Sequence, residues 1–192
     1  MTTHPSDLLP LNQDSAGLIL TPCPGTKGVD VVTALDQLQS AGATAVVTLM
    51  PASEMASHGV SDLARLCAQR GLRWFHLPIE DDHAPADDFT LAWQEQRLAL
   101  HGLLDAGQKV AIHCKGGSGR TGLMAAQILL ERGWSKDDAV AAVKALRPNA
   151  LSLAVHQDHL AQLPVQQTTV DHCPPGQARQ GDCVPPQGGS RS

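Results

Sequence analysis

The chain has 192 residues and a mass of 20.2 kDa, room for one ordinary domain with a core of its own. A hydrophobic share of 42% against 17% charged excludes a disordered chain, and with no Tyr, three Trp and two Phe the core must be aliphatic. A net charge of −5 argues against a general nucleic-acid binder, which needs a basic face, but says nothing of a small basic pocket.

Residues 1–16 are polar with two prolines and read as a flexible N-terminal arm, with no basic start or apolar stretch of a signal peptide. GLILT (17–21) is a short apolar strand. Residues 29–41 place Val32, Leu35 and Leu38 at helical spacing. ATAVVTLM (43–50) is the β-branched, apolar run of a buried parallel strand, ended by Pro51. Leu63, Leu66 and Cys67 mark a helix over 60–70, stopped by Gly71. LRWFHLP (72–78) is the next strand, followed by the acidic loop EDDHAPADD (80–88).

A long helix over 89–106 carries Leu91, Leu98 and Leu103, and KVAIHC (109–114) is a fourth strand. GSGRTGLMAAQILLERG (117–133) predicts a helix stopped by Gly133. Ser135, with an acid three residues on, caps a helix that Pro148 halts. A last helix covers about 151–163, and 165–192, rich in Pro and Gly, reads as a disordered tail. Strand–helix alternation over 17–164 predicts one α/β domain. Its sheet should be mostly parallel, of about four to five strands, flanked by helices on both faces.

Five cysteines without a CxxC pair argue against a zinc ribbon or a disulfide scaffold, and no apolar run approaches the roughly 18–20 residues that span a membrane. The expectation is a cytoplasmic protein with neither a membrane nor a nucleic-acid partner. The informative segment is His113-Cys114-Lys115-Gly116-Gly117-Ser118-Gly119-Arg120-Thr121-Gly122, between a strand end and a helix start. Backbone N–H groups point outward there, beside the positive end of the helix dipole. The glycines let the chain curl and converge those groups on one tetrahedral anion. It is not a Walker A loop, because Cys114 stands where the first glycine is needed and Arg120 where the lysine is. The same surroundings favour a thiolate at Cys114. Arg120 can hold two phosphate oxygens with its planar fork. Nucleophile, cradle and guanidinium together suit phosphoryl transfer through a phosphocysteine. Thr121 stands where it could bond the Cys114 sulfur, and His113 suits orienting the loop more than acting as a base.

HCKGGSGRTG resembles the HCxxGxxR(S/T)G loop of the cysteine-dependent protein tyrosine and dual-specificity phosphatases. LTPCPGTK (20–27) is similar to the PGxK loop of the kinase-associated phosphatase group. HLPIEDDHAP (76–85) is similar to that group's HxPIxDxxxP general-acid loop. LRPNALSLAVHQDHL (146–160) resembles its post-loop segment, which ends in QxxxL. The resemblance implies Cys114 and Arg120 as catalytic residues and residues 115–120 as the phosphate cradle. It puts the general acid at Asp81, with Asp82 as the alternative, and Gln157 behind the loop to help place water. Lys27 and Lys115 flank the cradle, Lys115 at a place shared with lipid phosphatases.

No cofactor or metal is implied. His156 and His159, three apart on a helix, have no evident partner ligands, and Cys67 reads as a small core residue. The leading expectation is a metal-independent phosphomonoesterase on a phosphorylated protein or small phosphomonoester, oligomeric state open. Three alternatives stand beside it: a phosphoinositide phosphatase, a phosphoprotein-binding pseudophosphatase, and rhodanese or arsenate-reductase chemistry. The last is disfavoured because low-molecular-weight phosphatases and arsenate reductases carry such a loop near the N-terminus. The absence of tyrosine implies a shallower, less selective site than that of strictly phosphotyrosine-specific relatives.

Overall fold

The structure, a computed structural model, describes residues 2–11 and 15–163. The segment expected as a tail, with Cys173 and Cys183, lies outside the described residues. The strands are β1 (Asp7–Pro10), β2 (Gly17–Pro22), β3 (Ala43–Thr48), β4 (Arg73–His76) and β5 (Lys109–Cys114). The helices are α1 (Val31–Ser40), α2 (Ala52–Ser57), α3 (Leu63–Gln69), α4 (Asp87–Asp105), α5 (Gly119–Glu131), α6 (Lys136–Leu146) and α7 (Ala154–Gln162).

The sheet order is β1-β2-β5-β3-β4. β5 lies at the centre, parallel to both β2 and β3, and β4 runs parallel to β3. Alternation along each strand builds a core on either face. Leu18, Leu20, Ala45, Val47, Val110, Ile112 and Cys114 point into the larger core, roofed by α4, α5, α6 and α7. Ile19, Val46 and Ala111 point into the smaller one, covered by α1, α2 and α3. The expected α/β fold, with a mostly parallel sheet and helices on both faces, is what forms.

Two elements depart from the sequence reading. Residues 7–10, read as part of a flexible arm, pair antiparallel with β2 as an edge strand. Four residues, one of them proline, are too short a run for alternation to show, and an edge position tolerates Pro10. The arm is also tied down before β1: His4 is 2% exposed, and its Nε2 meets the Thr21 hydroxyl at 2.7 Å. The second departure is α2, a single short turn of ASEMAS after Pro51, in which only Met55 is buried. Elsewhere the caps follow the sequence. The Ser135 hydroxyl accepts from the Asp138 N–H at 3.1 Å and opens α6.

This topology brings the carboxyl ends of β2, β3 and β5 side by side, with Pro22 opposite Cys114 and Thr48 opposite His113. In open α/β sheets that edge is where ligands bind.

Candidate active site

β5 ends at Cys114 and α5 starts at Gly119, so residues 115–118 must turn within four positions. Gly117 makes the turn at φ +76. A Cβ there would stand 2.5 Å from the Pro22 nitrogen and 2.6 Å from the Thr21 carbonyl carbon, both fixed backbone. Only glycine fits, for its left-handed conformation and for the missing side chain together. The Gly117 N–H returns to the Cys114 sulfur at 3.3 Å. Ser118 takes the N-cap position of α5 without a side-chain cap bond. The Gly122 N–H reaches the Ser118 carbonyl at 2.7 Å, so the N–H groups of Gly119, Arg120 and Thr121 precede the helical ladder and remain available to an anion. Lys115 and Gly116 are exposed at the rim.

Arg120 is 2% exposed and its five N–H groups can be traced one by one. Nη1 donates to Glu54 Oε2 at 2.6 Å and to the Ile79 carbonyl at 2.9 Å. Nη2 donates to Glu54 Oε1 at 2.9 Å and lies 3.0 Å from Asp81 Oδ1. Nε is buried without a partner. Glu54 thus fixes one edge of the guanidinium, and the Nε–Nη2 edge, closed only by an exposed Asp81 carboxylate, is left for a ligand. The Arg120 hydrogen bond holds the Glu54 carboxyl below its ordinary value. Burial works against the Arg120 cation, but the Glu54 hydrogen bond and the negative groups around it, Cys114, Glu54 and Asp81, together hold the guanidinium above its ordinary value.

His113 lies behind the loop, fully buried, its Nε2 2.8 Å from the Thr48 hydroxyl, which also accepts the Trp74 Nε1 hydrogen at 2.9 Å. Burial drives its pKa down to about 4, so it is a neutral strut and not a base at neutral pH. Burial, and after it the negative charges of Cys114 and Glu54, push the Cys23 thiol up to about 12. The Thr121 hydroxyl is buried without a hydrogen-bond partner, so the expected bond to the Cys114 sulfur is not made in this structure.

Cys114, Arg120 and Asp81 are brought together as the sequence suggested. Asp82, the alternative acid, stands in the left-handed region at φ +60, and it is the Asp81 carboxylate that lies 3.0 Å from the guanidinium. Gln157 is not brought to the loop. Its amide donates to the Leu151 carbonyl at 2.9 Å, and it lines a groove against α6 with Val140 and Lys144. The reason is helical phase: the QxxxL spacing to Leu160 starts at His156, not Gln157, and one residue turns a helix by about 100°. His156 faces the loop instead. Lys27 is exposed with no ion pair among the described residues.

Sequence reasoning missed Glu54 and Arg147. Glu54 follows the carboxyl end of β3, the one signal that could have flagged it. Arg147 clamps the cradle from behind. Its Nε donates to the Gly117 carbonyl at 2.8 Å and its Nη2 to the Leu20 carbonyl at 2.6 Å, while Nη1 pairs with Asp7. Among the described residues no group of three His, Cys, Asp or Glu could hold a metal, and no helix is long and apolar enough to cross a membrane.

The model of the family described as "Polymorphic toxin system, DSP-PTPase phosphatase" matches residues 26–134. Cyclin-dependent kinase inhibitor 3 from Rattus norvegicus is 33% identical over 129 residues, which cover 64% of this chain and 59% of that protein. The Sus scrofa protein of the same name is 33% identical over 128 residues, with the same coverage. The chain therefore spans less than two thirds of these relatives. Kinase associated phosphatase, solved with its catalytic-site cysteine replaced by serine, matches at a TM-score of 0.73 and 27% identity, over 83% of this chain and 93% of that one. Human DUSP28 shares the fold at a TM-score of 0.56 and 22% identity, over 84% and 95%. A cysteine-to-arginine anion loop at a strand–helix junction, on this sheet, agrees with both kinds of match: the chain belongs to the DSP-PTPase family of dual-specificity and protein tyrosine phosphatases.

Proposed function

We propose that the protein is a metal-independent phosphomonoesterase of the protein tyrosine and dual-specificity type, working through a phosphocysteine on Cys114. The observation that carries this is the open Nε–Nη2 edge of a buried Arg120, whose other edge Glu54 has already fixed. A phosphate dianion there satisfies Nε, displaces Asp81 from Nη2 and takes the N–H groups of residues 115–120. The cradle is built before the substrate arrives, so little reorganisation remains at the moment of reaction.

Cys114 sulfur then attacks phosphorus as the phosphorus–oxygen ester bond breaks. Asp81, released from Arg120, gives the leaving oxygen its proton. In the second step water attacks the phosphocysteine, Asp81 takes a proton from that water, and the sulfur–phosphorus bond breaks to release inorganic phosphate. Thr121, with a hydroxyl that has no other partner, is the group next to Arg120 that can rotate to stabilise the departing sulfur. Lys115 adds positive potential at the rim.

Phosphorylated proteins are the proposed substrate class. The names of the relatives, a kinase inhibitor and a kinase associated phosphatase, support a phosphoprotein partner. Phosphotyrosine is the first substrate to test, and phosphothreonine or phosphoserine belong beside it, because no tyrosine is available to build a deep wall that would exclude them. The test is hydrolysis of p-nitrophenyl phosphate, then of matched phosphotyrosyl, phosphothreonyl and phosphoinositide substrates. Wild type should turn over the first two classes, and Cys114→Ser none. Equal, near-zero rates for both proteins would remove the enzyme reading, and a phosphoinositide preferred over both peptides would remove the substrate class.

A further inference from the structure

The loop that carries Asp81 has no regular structure between β4 and α4, so contacts must hold it. Its first half is pinned to β3: the Leu77 N–H donates to the Thr48 carbonyl at 3.0 Å and the Ile79 N–H to the Leu49 carbonyl at 2.9 Å. Arg120 adds its bond to the Ile79 carbonyl. Past Glu80 those anchors stop. The chain then folds on itself, with the His83 N–H on the Glu80 carbonyl at 3.2 Å, His83 Nδ1 2.7 Å from the Asp81 carbonyl, and Asp82 in the left-handed region. Beside the Asp81 carboxylate on Arg120, which a phosphate would displace, a second tether of this turn comes from α7, where His156 Nε2 lies 3.0 Å from the His83 carbonyl.

His156 is 1% exposed and is seated between two working parts of the site. A Cβ on Gly119 would stand 3.9 Å from its Cε1, so the ring lies close to the first residue of α5. Leu160, one turn further along α7 and 3% exposed, anchors the helix in the larger core. The carbonyl of His83 can only accept, so Nε2 is the protonated nitrogen. Burial lowers the pKa of His156 and keeps the ring neutral.

We propose that His156 is a positioning residue for the general acid: by holding the His83 carbonyl against the start of α5, it keeps Asp81 within reach of the Arg120 edge where the leaving group departs. The proposal rests on the phosphatase reading above. It assigns to α7 a part in leaving-group protonation, where the sequence resemblance offered Gln157 and the placing of water. The donor, and not the imidazole as such, does the positioning. A glutamine at 156 could supply an N–H in the same direction, whereas a leucine fills the space and supplies none.

The experiment compares kcat/KM for phenyl phosphate, a poor leaving group, with that for p-nitrophenyl phosphate, a good one. It uses the full chain as wild type, His156→Leu, His156→Gln, Asp81→Asn and the double variant Asp81→Asn with His156→Leu. Wild-type turnover and its loss in Cys114→Ser establish first that the phosphatase reading holds. His156→Leu should then lose about tenfold or more on phenyl phosphate, a share of the roughly 10²–10⁴-fold that a positioned acid supplies. It should lose far less on p-nitrophenyl phosphate, whose activity also reports that the variant is folded. His156→Gln should recover most of the loss, and His156→Leu should cost little more once Asp81 is already Asn. An equal loss on both substrates, failure of the glutamine to rescue, or a full additional loss in the double variant would each overturn the proposal while leaving the phosphatase reading intact.

Discussion

At the scale of the residue, the site depends on one guanidinium whose partners are divided by edge. Glu54 and the Ile79 carbonyl occupy one side of Arg120, and the Nε–Nη2 side is the one assigned to phosphate in the proposed function. Arg120→Lys cannot reproduce this, since an ammonium has no planar fork. It should reduce kcat/KM on p-nitrophenyl phosphate by roughly 10²–10³-fold, the cost of losing a preorganised anion contact. Retention of most activity would mean that the backbone cradle alone binds phosphate. Gly117→Ala is the second residue-scale test. The new Cβ meets fixed backbone of Thr21 and Pro22 below 3 Å and sits at a positive φ, so the loop must open. Activity should fall to near background, while loss of tungstate binding in calorimetry should track it. Cys114, Arg120 and the glycines were legible in the sequence because they are contiguous and each residue type has a chemical reason to stand there. Glu54 was not, because its role exists only once β3 and β5 lie side by side.

At the scale of the element, two segments position the cradle from outside it. Arg147 ties the Gly117 carbonyl to the Leu20 carbonyl and so locks the loop to β2. Arg147→Ala takes from the buried Gly117 carbonyl the bond that Arg147 gives it, at a cost of about 1–3 kcal/mol, and strips the Leu20 carbonyl of one of its donors. A thermal-shift measurement should show a clear drop in Tm. Asp7→Ala removes only the partner of an exposed ion-pair arm and should move Tm little. Equal effects from the two substitutions would contradict the clamp. The same pair explains what the sequence could not show. Asp7 belongs to β1, whose four residues are too few to reveal alternation, and Arg147 reads only as the basic end of a helix before Pro148. The longer strands and helices were legible because their periodicity runs over six or more residues, and their order alone implied the parallel sheet. Helix phase was the weak point: a shift of one residue exchanged His156 for Gln157.

At the scale of the whole molecule, the structure buries neutral imidazoles that an unfolded chain would protonate. Burial puts the His113 pKa at about 4 against an ordinary 6.5, and lowers those of His4, His156 and His159 in the same direction. A depressed histidine pKa means that the unfolded state binds the proton more tightly. Stability is therefore full above pH 6.5 and is lost as pH falls towards 4. His113 alone should contribute a loss of about 2 kcal/mol between pH 7 and pH 5. Glu54, held below its ordinary 4.5 by Arg120, adds a further loss only below that pH. Urea unfolding at pH 7 and pH 5 should show the midpoint falling, with His113→Gln flattening the dependence. An unchanged midpoint over that interval would contradict the buried neutral state. None of this was visible in a list of nine histidines, because burial is a property of the fold.

The central claim is that Cys114 carries the phosphoryl group between substrate and water. It is tested most directly by mixing the enzyme with a fast aryl phosphate, quenching in acid and mapping the peptide that contains Cys114 by mass spectrometry. A phosphoryl adduct on Cys114 is predicted in the wild type, accumulating further in Asp81→Ala, where the second step lacks its base, and absent from Cys114→Ser. Continued turnover with no adduct on Cys114, or turnover by Cys114→Ser at the wild-type rate, would contradict it.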